Sequence, residues 1–228
     1  MRKCLFAVAV LLASIFYLIS CTAPVTTTPP ASTTATPTST VSTTPTITVT
    51  PTPTQVTVIT YDFDSGTPGI VPGVPTPFDY IQGGLTAHFS SSSDPAAFSV
   101  QNPDSTFVKL TRFSENYLND NNAFLNTLEI KFSQSVRGIE LTFATADYHG
   151  VGEVEIPTSL KLTAYLESTT KTVVGTATAN GAFTSDTFPQ GKLSFASGND
   201  PFNLVVLELV PQPKGTTFFL VDTIIITM

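Results

Sequence analysis

From residue 55 onward the chain predicts an all-β fold, an antiparallel β-sandwich. Three observations carry that expectation. Short runs of alternating apolar and polar residues recur at similar spacing. Gly, Pro, Asn and Asp bound those runs. Almost no stretch has the apolar period of a helix.

The N-terminus reads differently. Arg2 and Lys3 precede an apolar run over residues 5–19, broken by Ser14. A spanning helix needs about 20 apolar residues, so residues 1–20 predict a removed signal peptide. The run ends in Leu18-Ile19-Ser20-Cys21. This stretch resembles a bacterial lipobox, with a small residue before the cut and Cys21 as the first residue of the mature chain. The resemblance implies a lipid thioether and an acylated amine on Cys21. The chain would then be an extracytoplasmic lipoprotein, membrane-anchored at the cell surface or facing the periplasm, because several acyl chains hold far more firmly than one.

Residues 22–54 are dominated by Thr, Pro, Ser, Ala and Val and hold no charge. Frequent proline removes backbone donors and favours polyproline II, so residues 21–54 predict a disordered tether. At about 3.1 Å per residue such a tract reaches on the order of 100 Å. Its density of Thr and Ser suits O-glycosylation. Residues 55–228 remain, enough for one domain with its own core.

Charged residues make up 12% of the chain, about half the usual share. All seventeen acids lie at or after Asp62, so loss of Arg2 and Lys3 takes the net charge from −7 to about −9. That surface repels phosphate backbones and carries no basic cluster, which argues against nucleic acid as a partner. Cys4 leaves with the signal peptide and Cys21 is the only other cysteine. A domain without a disulfide relies on its core, with a structural metal as a further staple.

Within the domain, residues 56–63 predict a first strand rich in β-branched and aromatic residues. A turn-rich loop with Gly66, Pro68, Gly69, Pro72, Gly73, Pro75 and Pro77 follows. Leu85, Ala87 and Phe89 alternate with Thr86, His88 and Ser90, a half-buried strand. Residues 98–100 and 107–113 predict two more. Leu128, Ile130 and Phe132, then Ile139, Leu141 and Phe143, are expected to form an antiparallel pair about a turn at 133–135. Residues 160–166, 173–179, 193–195 and 204–209 continue the series. Residues 218–226 are apolar on both faces, as a central strand requires, and should lie beside the first strand. Residues 114–124 are the one stretch expected to be helical or irregular.

Two motifs stand out: Tyr61-Asp62-Phe63-Asp64 and Leu220-Val221-Asp222-Thr223-Ile224. With the strand pattern, they resemble the galactose-binding-like jelly roll of many carbohydrate-binding modules. The resemblance implies that acids of the first strand and an aspartate of the last share one calcium ion. Asp62 and Asp64, two apart, are expected on one face. Asp222 lies among Leu220, Ile224 and Ile226 and needs a partner if buried. Calcium, a hard cation that takes oxygen ligands, would supply a structural one. The alternative is that Asp222 accepts ordinary hydrogen bonds while Asp62 and Asp64 face water.

No set of catalytic residues emerges. The two histidines, His88 and His149, accompany no nucleophile elbow. No zinc spacing occurs. Glu153 and Glu155 share a face with nothing to separate their acidities, unlike a glycosidase pair. Asn119-Asp120-Asn121-Asn122 lacks the glycine and closing glutamate of an EF-hand. Sugars need loop aromatics flanked by amides and acids. Tyr117 beside Asn116, Asn119 and Asp120 fits, as do Asp147-Tyr148-His149 and Tyr80 with Asp79. The expectation is a non-catalytic module that binds glycans. A structural or adhesive surface protein is the alternative, and a carbohydrate-active enzyme the third.

Overall fold

The computed structural model describes residues 55–64, 70–92, 94–102, 110–121, 126–146, 158–183, 188–210 and 218–228. Among them, twelve strands form and no helix. The first six are β1 (Val58–Tyr61), β2 (Phe78–Gln82), β3 (Leu85–Ser91), β4 (Phe98–Gln101), β5 (Tyr117–Asp120) and β6 (Thr127–Val136). The others are β7 (Gly138–Thr145), β8 (Ser159–Glu167), β9 (Lys171–Asn180), β10 (Gln190–Ala196), β11 (Phe202–Val210) and β12 (Phe219–Thr227).

They pair into two antiparallel sheets. Sheet A runs β10-β7-β12-β5-β4, with β1 also on β12, and sheet B runs β2-β3-β6-β11-β8-β9. The predicted antiparallel β-sandwich is therefore the observed fold. Leu128, Ile130, Val205, Leu207, Leu160 and Leu162 of sheet B meet Ile139, Leu141, Phe143, Val221, Ile224 and Ile226 of sheet A in one buried core. The two-residue alternation puts every second side chain inside and leaves its neighbour outside.

The first and last strands do pair, from Val58 opposite Thr227 to Tyr61 opposite Ile224. Their end of the core is aromatic. Tyr61 meets Tyr80 edge-on at 5.1 Å between ring centroids, and Phe89 stacks on Phe78 at 5.1 Å. Each such pair adds about 0.5–1.5 kcal/mol beyond area burial. The buried Tyr61 hydroxyl donates to Leu85 O at 2.9 Å, and burial pushes its phenol pKa up.

Four stretches differ from expectation. The runs around Ile130 and Leu141 do not pair with each other: β6 lies in sheet B between β3 and β11, and β7 in sheet A between β10 and β12. One residue, Arg137, carries the chain between sheets, its N–H donating to Thr227 O at 2.8 Å. Both runs face the core, but from opposite walls, which alternation cannot distinguish. Within 114–124, Tyr117–Asp120 forms a strand. Of 107–113, residues 107–109 lie outside the described residues, and 110–113 form no strand. An unforeseen strand, β2, directly follows Pro77 and joins β3 through Gly83 (φ 54°) and Gly84 (φ 80°), a turn L side chains disfavour.

The sheets also close on each other at β9 and β10. A Cβ at Gly175 would lie 2.7 Å from the Phe195 ring, which would have to shift to admit it.

Candidate functional site

Three places concern function. The first is where β1 and β5 share one edge of β12. β1 pairs with residues 224–227 and β5 with residues 220 and 221, and the register shifts between Val221 and Ile224. Asp222 sits in that interruption, 1% exposed. Its Oδ2 accepts the Ser114 N–H at 3.0 Å, and Ser114 Oγ donates to the same carboxylate at 3.2 and 3.3 Å. Burial pushes its pKa up to about 6. The Ser114 bonds oppose that rise, and the nearby Asp64 charge adds to it.

Asp62 and Asp64 go to different partners. β1 ends at Tyr61, and Phe63 between them takes a left-handed φ of 61°. Asp62 Oδ1 accepts the Tyr80 hydroxyl at 2.9 Å. Asp64 Oδ2 accepts the Glu115 N–H at 3.3 Å, and its Oδ1 accepts the Asn116 N–H. Calcium wants roughly six to eight oxygens aimed at one point. Here N–H donors already address the Asp64 and Asp222 oxygens. Among the described residues, no three His, Cys, Asp or Glu side chains come together as a metal would need. This arrangement does not fit calcium.

The second place surrounds Tyr117. It lies on a strand, 1% exposed, with its ring 5.6 Å from Phe113. With Ala144 and Leu220 it forms a small cluster on the outer side of sheet A, under Leu110 and Phe113. Tyr117 therefore offers no free ring face for a sugar. Beside it runs an amide row. Gln101 Nε2 donates to Ser99 Oγ at 2.7 Å, and Ser99 Oγ donates to Asn121 Oδ1 at 2.7 Å. Asn119 Nδ2 reaches the same oxygen at 3.4 Å. Tyr80 is fully buried, and Asp79 pairs with His88 at 2.7 Å on the exposed surface. Asp147, Tyr148 and His149 lie outside the described residues, as do residues 1–54 with Cys21.

The third place is the outer face of sheet B. Tyr61, Tyr80 and Tyr117 are at most 1% exposed, whereas Tyr165 is partly exposed. Its cross-strand partners are Leu204 and Val173, and Leu204 also faces Lys131, so these four share one face. Lys171 Nζ lies 4.3 Å from the Tyr165 ring centroid, a cation–π distance. Lys131 pairs with Glu167 at 2.5 Å and Lys161 with Glu208 at 2.7 Å. The hydrogen bond from Lys161 to Glu208 raises the lysine pKa. The same kind of bond, from Lys131, lowers that of Glu167.

No family model matches this chain, and no curated protein does. Solved structures similar to it include two carbohydrate-binding modules. One is a family 6 carbohydrate-binding module whose binding subsites were dissected by crystallography and calorimetry. It is 18% identical, with a TM-score of 0.29, covering 57% of this chain and 93% of its own. The other is CsCBM6-3 from Clostridium stercorarium in complex with cellobiose. It is 13% identical, with a TM-score of 0.30, covering 60% of this chain and 91% of its own. The fold assignment rests on the two sheets themselves.

Sequence reasoning missed Tyr165. The signal was present: Lys161, Thr163, Tyr165 and Glu167 alternate with Leu160, Leu162, Ala164 and Leu166. An aromatic on the polar side of such an alternation points outward.

Proposed function

We propose that this chain is a membrane-tethered lipoprotein whose β-sandwich binds neutral glycans without cleaving them. The observation that carries the glycan reading is Tyr165 on the outer face of sheet B. Sugars present apolar ring faces beside many hydroxyls, so they suit an aromatic ring set among paired donors and acceptors. Tyr165 and the exposed Val173 supply the apolar strip, with the buried Leu204 beneath it. The Lys131–Glu167 and Lys161–Glu208 pairs supply the polar groups, and the exposed Thr176, opposite Thr163 on the same face, adds a hydroxyl. From β6 to β9 the strip crosses three strand spacings, about 14 Å. A short oligosaccharide spans that distance.

Tethering is supported by Arg2, Lys3, the apolar run to Ile19 and the cysteine at position 21. Residues 22–54 would then hold the sandwich away from the bilayer. The test is binding of the full chain to a glycan array and to insoluble polysaccharides, with Tyr165→Ala alongside. Retention of wild type and loss by the variant support the reading. No retention of wild type on any glycan ends it, and a display or adhesive role takes its place. Sugar released from a bound polysaccharide would overturn the non-catalytic part. Mass spectrometry of Cys21 tests the anchor, and an unmodified thiol would refute it.

A further inference from the structure

We propose that Asp64 and Asp222 are the anchors of a peptide strap, residues 110–116, which ties β1, β5, β10 and β12 together in place of a metal ion or disulfide. The proposal rests on no part of the glycan reading.

Four backbone donors of the strap end on side-chain acceptors. The Arg112 N–H goes to Gln190 Oε1 of β10 at 2.9 Å. The Ser114 N–H goes to Asp222 of β12, and those of Glu115 and Asn116 go to Asp64, just past β1. Asn116 Nδ2 adds a bond to Phe63 O at 3.2 Å. The strap then enters β5. Its apolar side chains, Leu110 and Phe113, close over Tyr117, Ala144 and Leu220.

Polarity separates this arrangement from a cation site. The positive ends of N–H dipoles point at both carboxylates, where a cation would be repelled. Charge-assisted hydrogen bonds from N–H to carboxylate are strong enough to hold a segment that has no strand partner of its own. The contacts also join segments far apart in sequence, since Ser114 and Asp222 are 108 residues apart. These ties exist only in the folded chain, so they offset the loop-closure entropy of folding directly, whereas a disulfide acts by restricting the unfolded chain.

The experiment compares melting of the full chain at pH 7.5 with excess calcium chloride and with chelator, for wild type, Asp222→Asn, Asp222→Ala and Ser114→Ala. Expected are equal wild-type melting temperatures in both solutions, within about 1 °C. Asp222→Asn should melt no lower than wild type, because its amide oxygen still accepts from Ser114 while no charge is buried. Asp222→Ala and Ser114→Ala should melt lower by several degrees, roughly 2–4 °C or more. Hydrogen exchange of the Ser114–Asn116 amides should quicken roughly tenfold in both. If Asp222→Ala does not fold, Ser114→Ala carries the comparison, since it leaves both carboxylates in place. A calcium-dependent rise of several degrees in wild type, lost in Asp222→Asn, would overturn the proposal. So would unchanged melting and exchange in Ser114→Ala.

Discussion

Tyr80 donates its hydroxyl proton to Asp62 Oδ1 across 2.9 Å, while Asp64, two residues further on, turns to the Glu115 and Asn116 amides. The left-handed Phe63 between them sends the two carboxylates to different partners, and its ring stays fully buried. Tyr80→Phe keeps the ring and deletes the bond. It should cost about 1–2 kcal/mol, a fall in melting temperature of roughly 2–6 °C by calorimetry. An unchanged melting temperature would mean that water replaces the bond without loss.

Acid should stabilise this domain over a defined window. The Asp222 carboxyl is raised to about 6 in the fold from an ordinary 3.8. The folded state therefore holds its proton more tightly than the unfolded chain does. The resulting stability is complete below about pH 4 and is lost as pH rises through about 6. At full expression it is on the order of 2–3 kcal/mol. Urea melts at pH 7.5 and 5.5 should show wild type gaining stability on acidification, with a smaller gain in Asp222→Asn. Equal gains in the two proteins would assign the effect to other groups.

Gly181 is a packing requirement. A Cβ there would lie 2.5 Å from the carbonyl carbon of Pro189, and backbone cannot step aside as a flexible side chain can. Gly181→Ala should destabilise by about 1–3 kcal/mol. Chemical denaturation would measure it. A neutral result would show that the β9–β10 connection shifts freely.

Tyr165→Ala should separate binding from stability. The residue lies outside the core and contributes mainly its contact with Lys171. Stability should fall by no more than about 1 kcal/mol. Glycan retention in affinity electrophoresis should weaken about tenfold or more, equivalent to about 1.4 kcal/mol. Lost retention together with collapse of the melting transition would make the residue structural.

Much of the fold was legible because alternation reports which side chains are buried. Leu128, Ile130 and Phe132 gave one wall and Ile139, Leu141 and Phe143 another, yet nothing in either run says which strand lies beside it. That depends on Arg137, a single residue that turns the chain across the sandwich, where a hairpin was expected. β2 was overlooked because the core-facing Tyr80 is flanked by Asp79 and by Ile81, which is 59% exposed. The aspartates were legible as unusual, and Asp222 is indeed buried. Their partners were not, because backbone donors at residues 114–116 leave no mark on composition. The sequence places Tyr117 in a loop, but its neighbours are Ala144 and Leu220, which only the sheet brings near.

β1 also has a mechanical meaning. It is four residues long and its strand partner is β12, with Met228 N–H adding a bond to Thr57 O just upstream. Force applied at Gln55 and directed along this short strand would act on β1 before any other strand. Its rungs would be loaded in shear, all at once rather than one after another. Ile59 and Tyr61, both buried, would have to be dragged out of the interior before β1 slipped. A short strand can in this way bear a pull that would peel open a hairpin.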